Sequence, residues 1–128
     1  MLLVFVYGTL MRGECRHGAL AGQIFVGHAT TQPHYRLYHC GSYPALVEVA
    51  AGTGNRIEGE VYRVSAACLA ELDEIEGVDE GLYERSPVAL EDSPAVHQIA
   101  APIEAYLYRQ DVSAFEDLGI AWRRSGPA

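Results

Sequence analysis

Short apolar stretches separated by turn residues run through most of this chain, and the pattern predicts a mainly β fold. Residues 2–7 are apolar and end at Gly8, which is typical of a buried central strand. The sequence predicts further strands at residues 23–30, 35–40, 45–49, 57–64, 83–90 and 103–108. Turns are predicted at residues 32–33, 41–44, 52–55 and 92–94, where Gly, Pro, Asn and Asp interrupt the strands.

The hydrophobic period changes after residue 64, and the new spacing predicts one main helix. Its expected buried face is formed by Cys68, Leu69, Leu72 and Ile75. Ser65 is suited to cap the start of this helix, and Gly77 is suited to end it. Residues 11–20 are compatible with a short helix or a loop. Trp122 is expected to anchor a C-terminal segment. We therefore expect an α+β fold, a small mixed β-barrel-like sheet with flanking helices, in one domain spanning residues 1–128.

Composition limits the classes of partner. The 128 residues are 49% hydrophobic and 20% charged, as in globular proteins, and the formal net charge is -8. An acidic surface repels phosphate backbones and anionic lipids. We therefore expect neither nucleic acid nor a membrane surface as a partner.

The three cysteines predict a reducing environment. Cys15, Cys40 and Cys68 are far apart and odd in number, so they cannot all pair in disulfides. The apolar run at the N-terminus lacks a basic leader and a cleavage site, and no apolar run reaches the roughly 20 residues of a membrane span. These features predict a cytoplasmic protein.

The turn formed by Tyr7, Gly8, Thr9 and Leu10 is the first candidate site. Glycine tolerates positive φ and close approach, so successive backbone N–H groups can be exposed there to bind a carboxylate or an oxyanion. A plain structural turn is the alternative interpretation. The phosphate-loop pattern is absent, and no His or Lys near Thr9 in sequence favours that residue as a nucleophile.

The second candidate is the acidic segment that ends the predicted helix. Its carboxylates would ordinarily form a solvated helix end, but Glu76 lies four residues after Leu72, on or beside the buried face. It also lies next to Gly77, at a helix C-terminus, where the dipole disfavours a carboxylate. Both conditions raise a carboxyl pKa toward general acid–base use, so Glu76 is the predicted catalytic residue.

Other residues give weaker signals. His34 and His39 lack further ligands in a zinc pattern, and no metal site is expected. Tyr43, beside Pro44, and Tyr83, after the acidic segment, are candidates for lining a pocket.

Taken together, these motifs resemble the gamma-glutamylcyclotransferase-like family. The resemblance covers residues 3–90 in the family's order and spacing. It is carried by the segments Phe5-Val6-Tyr7-Gly8-Thr9-Leu10, Gly13-Glu14, Tyr43-Pro44-Ala45, Gly59-Glu60-Val61-Tyr62 and Leu72-Asp73-x-x-Glu76-Gly77, followed by Tyr83. It implies a small mixed barrel with flanking helices and release of 5-oxoproline from a γ-glutamyl compound. The short chain looks closer to the branch acting on γ-glutamylamines.

The resemblance also assigns roles to residues. It implies that Tyr7, Gly8, Thr9 and Leu10 hold the substrate, that Glu76 is the catalytic glutamate and that Tyr83 borders the pocket. One departure concerns substrate choice: Met11 stands where many relatives carry a basic residue. No metal, nucleotide or covalent intermediate is required by this mechanism.

Two other functions stay open at this point. One is a non-catalytic module that binds a small metabolite in the same pocket. The other is a hydrolase in which Glu76 activates water and releases glutamate instead of 5-oxoproline.

Overall fold

The structure is a computed structural model that describes residues 1–41, 43–97, 99 and 101–122. Its strands are β1 (Leu2–Val6), β2 (Ile24–Thr30), β3 (Tyr35–Cys40), β4 (Tyr43–Glu48), β5 (Glu58–Val64), β6 (Tyr83–Pro87), β7 (Ile103–Tyr108) and β8 (Glu116–Asp117). Its helices are α1 (Ala66–Ile75) and α2 (Pro94–His97), with 3-10 turns at His17–Leu20 and Val78–Glu80. The predicted α+β class is confirmed.

The strands form two sheets. The larger has the order β2-β5-β1-β7-β6, with β1 antiparallel to β5 and parallel to β7. The smaller has the order β4-β3-β8. Among the described residues neither sheet closes on itself, so the barrel-like part of the expectation is not confirmed.

The apolar run of β1 is explained by burial on both of its faces. Val4 and Val6 pack in one hydrophobic cluster with the buried side of α1. Leu3 and Phe5 pack in a second cluster that includes residues of the smaller sheet. Since successive strand side chains point to opposite faces, a strand between two cores needs apolar residues at every position.

Most strand predictions are confirmed, and those at 35–40 and 103–108 have the predicted bounds. The predicted turn at 41–44 is wrong in its second half, because Tyr43 and Pro44 pair with Cys40 and His39 in β4. Gly41, with φ 71°, lies at this reversal. Pro44 is tolerated because β4 is an edge strand of the smaller sheet, where a missing N–H is acceptable.

Two short elements differ from the predictions. The predicted turn at 92–94 is the start of α2, where the Ser93 hydroxyl accepts a hydrogen bond from the Val96 N–H at 3.3 Å and Pro94 is the first helical residue. The strand predicted at 83–90 ends at Pro87, beyond which only Leu90 makes an isolated bridge. No helix in the described part of the chain is long and apolar enough to span a bilayer.

Trp122 is buried, with 7% of its surface exposed. Its indole N–H donates to Glu14 at 3.2 Å, and its ring stacks on His39. The expected anchoring role for this residue is confirmed.

Candidate active site

The loop that follows β1 is held from both ends. The Tyr7 hydroxyl donates to the carbonyl oxygen of Tyr106 at 2.5 Å. The Gly8 carbonyl accepts from the Met11 N–H at 3.0 Å, and the Thr9 carbonyl accepts from the Arg16 N–H at 2.8 Å. These contacts fix the loop and direct its carbonyls toward its own later residues.

The amides of the same loop are left available. Within the described residues, no hydrogen bond outside the regular strands and helices has the N–H of Gly8, Thr9 or Leu10 as its donor. These three residues line a small cavity. Neighbouring N–H groups without a protein acceptor can bind a carboxylate or an oxyanion.

Gly8 is required for one of the two reasons expected. Its φ is not in the positive region, so the expected use of positive φ is wrong. A Cβ built at this position would lie 2.1 Å from Cγ of Pro44. The loop therefore passes so close to β4 that only glycine fits, and the close-approach part of the argument is the one that applies.

Helix α1 brings an acidic side chain to the same cavity. The Ser65 hydroxyl accepts from the Cys68 N–H at 3.1 Å and caps the start of the helix. Glu76 follows the last helical residue, and its N–H donates to the Leu72 carbonyl at 2.9 Å. Gly77, with φ 68° and ψ 39°, adopts the left-handed conformation that ends the helix as predicted.

The buried face of α1 differs from the prediction at one residue. Cys68, Leu69 and Leu72 are buried, but Ile75 is 40% exposed. Glu76, four residues after Leu72 on the same side of the helix, is half-buried instead. At the end of the helix, the side chain that turns inward is therefore the Glu76 carboxylate and not Ile75.

Burial changes the acidity of that carboxylate. It raises the pKa of Glu76 from 4.5 to about 7, and the positive charge of Arg16 opposes this effect. A carboxyl with this pKa is present in both protonation states near neutral pH, which suits proton transfer in either direction.

The surrounding tyrosines stay neutral. Burial is the main cause that raises the pKa of Tyr7, Tyr83 and Tyr106, and the negative charge of Glu76 adds to it for each. Their phenols therefore act as hydrogen-bond donors and not as bases.

The cavity is small: its enclosed volume is about 10 Å³, and its empty volume reaches about 240 Å³ only when the space open to solvent is included. It is lined by Phe5, Val6, Tyr7, Gly8, Thr9, Leu10, Pro44, Glu76 and Tyr106. The structure thus brings together the predicted loop and the predicted glutamate, which lie more than 60 residues apart in the chain.

Tyr43 and Tyr83 lie next to this cavity and are not part of its lining. The Tyr83 hydroxyl donates to the Pro44 carbonyl and so links β6 to β4. Tyr43 is the neighbour of Pro44 in β4, and its pKa is raised mainly by a hydrogen bond with Cys40. Both residues therefore support the wall that Pro44 forms.

Sequence reasoning missed Tyr106 and its partners. The Tyr106 hydroxyl donates to Asp73 at 2.7 Å, and Asp73 also faces Arg85 at 3.4 Å. Asp73 was recognised only as part of a motif, and nothing local to Tyr106 indicates that its carbonyl receives the Tyr7 hydroxyl. The only available signal for Tyr106 is its place in the predicted strand at residues 103–108, where alternation groups it with Glu104 and Tyr108 on one face.

The histidines considered for a metal have other contacts. His34 hydrogen-bonds the Gln32 side chain at 3.1 Å and accepts from the Gly52 N–H at 3.2 Å. In the described part of the chain, no group of three or more His, Cys, Asp or Glu side chains is arranged to hold a metal ion. All three cysteines are free, with Cys15 exposed and the other two buried.

Comparison with known proteins adds an independent line of evidence. Residues 4–124 match the family model described as "Gamma-glutamyl cyclotransferase, AIG2-like". A gamma-glutamylaminecyclotransferase of Homo sapiens is 36% identical over 121 residues, covering 84% of this chain and 78% of the relative. A putative gamma-glutamylcyclotransferase of Vibrio cholerae is 47% identical over 77 residues, covering 59% of this chain and 63% of the relative. The match therefore spans less than two thirds of the length of the Vibrio protein.

A solved structure has the same fold. The crystal structure of an AIG2-like protein from Mus musculus superposes with a TM-score of 0.83 at 23% sequence identity, covering 99% of this chain and 91% of that chain.

Proposed function

The chain belongs to the gamma-glutamyl cyclotransferase, AIG2-like family, and we propose that it releases 5-oxoproline and a free amine or amino acid from a γ-glutamyl compound. The observation that carries this proposal is the partly buried carboxyl of Glu76 in the same cavity wall as the available amides of Gly8, Thr9 and Leu10. The names of the relatives support the same reaction class.

The substrate itself supplies the nucleophile. Its α-amine is tethered to the γ-carbonyl, so the protein has to hold one rotamer in which the five-membered ring can close. The amine attacks the γ-carbon, the γ-amide C–N bond breaks, and the departing amine takes up a proton.

Glu76 transfers the protons in this proposal. An α-amine with a pKa of about 8 is mostly protonated at neutral pH and must lose a proton before it attacks. The ionised Glu76 carboxylate accepts that proton, and the resulting carboxylic acid donates it to the leaving amine. A pKa of about 7 allows both steps.

The loop amides bind negative charge. The N–H groups of Gly8, Thr9 and Leu10 hold either the substrate α-carboxylate or the oxyanion that forms on the γ-carbonyl. Tyr43 and Tyr83 support the Pro44 side of the pocket without touching the reacting atoms. The mechanism needs no cofactor and no covalent intermediate.

The proposal also covers the binding partner and the cellular location of the protein. The partner is a small γ-glutamyl compound, with no nucleic acid and no membrane surface involved. A cytoplasmic location is supported by the three free cysteines.

Product identity tests the proposal. Purified protein is incubated with a panel of γ-glutamylamines and γ-glutamyl amino acids, and products are identified by mass spectrometry. We expect 5-oxoproline and the free amine in equal amounts. Release of glutamate would instead identify a hydrolase, and thermal stabilisation by γ-glutamyl compounds without any product would identify a binding module.

A further inference from the structure

A shallow depression lies on the surface beside the cavity. It is lined by Cys15, Arg16, Gly18, Ala19 and Ile75. Two of its lining residues are tied to residues of the cavity lining, because Ile75 directly precedes Glu76 and the Arg16 N–H donates to the Thr9 carbonyl at 2.8 Å. A substrate group that extends from the cavity past Glu76 toward Ile75 would reach this depression.

Arg16 is the cation in this depression. Its backbone is fixed, since its carbonyl also accepts from the Ala19 N–H at 3.0 Å. Its side chain is exposed and makes neither an ion pair nor a hydrogen bond with any described residue. Its charge acts on both Glu76 and Tyr43, so the guanidinium lies within electrostatic reach of the cavity.

This free guanidinium differs from most other arginines in the described part of the chain. Four of them form ion pairs with carboxylates: Arg36, Arg56, Arg85 and Arg109. Arg12 lies over the ring of Phe25 at 3.7 Å. In a protein with net charge -8, carboxylate partners are abundant, yet Arg16 faces the open depression.

The two ends of a γ-glutamyl substrate need different contacts. The proposed function assigns the glutamyl end to the loop amides and the reacting carbon to the neighbourhood of Glu76. The leaving amine must then lie toward the cavity mouth. A guanidinium with five N–H donors is well suited to bind a carboxylate there.

We propose that Arg16 binds a carboxylate on the leaving amine, so that the protein prefers γ-glutamyl amino acids to γ-glutamylamines that lack an acidic group. This inference rests on the proposed function and narrows its substrate class. It makes Arg16 a specificity-determining residue that carries none of the transferred protons, and the ratio of two substrates' rates removes the effect that its charge has on the Glu76 pKa.

The test compares two substrates that differ only in the carboxylate, γ-glutamylalanine and γ-glutamylethylamide. We expect the wild type to have the higher kcat/KM for γ-glutamylalanine. Arg16→Gln should lower the ratio of the two kcat/KM values about fivefold, the upper range for an exposed ion pair. Arg16→Lys should retain part of the preference. Arg63→Gln, which removes an exposed arginine of β5 that lines neither the cavity nor the depression, should leave the ratio unchanged.

A binding experiment separates this inference from the proposed function. Dissociation constants for both compounds are measured by calorimetry in Glu76→Gln, with and without Arg16→Gln. If the wild type releases no 5-oxoproline, the proposed function is refuted. The preference for binding γ-glutamylalanine over γ-glutamylethylamide still decides the role of Arg16 in that case. Binding of neither compound, or a preference that Arg16→Gln leaves unchanged, would overturn the inference. An equal loss for both compounds would also overturn it, because it would place Arg16 on the glutamyl end.

Discussion

Glu76 is a half-buried carboxyl at the end of α1, on the same side of the helix as the buried Leu72. Burial raises its pKa to about 7, so its ionised form is disfavoured in the folded protein relative to the unfolded chain. The property that suits it to proton transfer therefore reduces the stability of the fold at neutral and alkaline pH.

A pH-dependent stability difference follows from this shift. The pKa of Glu76 is higher in the folded protein than in the unfolded chain. Below about pH 4.5 the carboxyl is protonated in both states and costs no folding stability. The free energy of unfolding then decreases as the pH rises through about 7. Glu76→Gln lacks this loss and should be more stable than the wild type at pH 8 by about 2 kcal/mol, allowing for partial exposure of the carboxylate. Urea denaturation at pH 5 and pH 8 measures the difference, which should be small at pH 5.

Glu74→Gln is the matched control for that experiment, since Glu74 is an exposed glutamate of the same helix. It should change stability little at either pH. An equal gain for Glu76→Gln at both pH values would show that the carboxylate charge is not the cause.

Gly8 shows how far a single residue could be interpreted from the sequence. Its importance was predictable, because glycine at a strand end indicates either unusual φ or close contact. The choice between these two required the position of Pro44, a residue of another sheet. Sequence reasoning identified the residue and named both causes, of which only close approach applies.

At the scale of elements, the end of α1 determines where the glutamate lies. Gly77 has φ 68°, a conformation that costs a residue with a Cβ about 1 kcal/mol or more. A Cβ there would meet Leu82 only at ordinary contact distance, 3.4 Å, so strain and not collision is the main effect.

Gly77→Ala should therefore lower the stability by about 1 kcal/mol and lower kcat/KM about tenfold, because the helix end that carries Glu76 must shift. Urea denaturation and 5-oxoproline release measure the two effects. Gly22→Ala is the control, since Gly22 has a similar φ of 79° in open space and is not one of the residues that line the cavity. It should show a comparable loss of stability with no loss of kcat/KM. Equal kinetics for the two variants would contradict the role given to the helix end.

The elements that could be predicted are those with local signals. Helix α1 has a cap, an apolar period and a terminal glycine within about a dozen residues, and its existence and ends were predicted from these. The two-residue strand β8 and the four-residue helix α2 carry too little periodic pattern to be recognised. The exposure of Ile75 was missed because the period alone does not say which residue of the last turn faces the core.

At the scale of the whole molecule, the site depends on pairings between distant parts of the chain. The parallel pairing of β1 with β7 brings Tyr106 next to Tyr7, and these residues are 99 positions apart. The contact of the smaller sheet with the loop places Pro44 against Gly8. Neither pairing produces a pattern in the nearby sequence, so the wall formed by Pro44 and Tyr106 could not be predicted. The loop and Glu76 have local signals and could be predicted.

The central claim is that Glu76 performs the proton transfers, and the rate of 5-oxoproline release from a γ-glutamyl substrate by Glu76→Gln tests it most directly. The account predicts that this variant stays folded and loses activity about a thousandfold, within the usual range for removal of a general acid–base group. Glu74→Gln should retain wild-type activity in the same assay. A folded Glu76→Gln protein that releases 5-oxoproline at the wild-type rate would contradict the account.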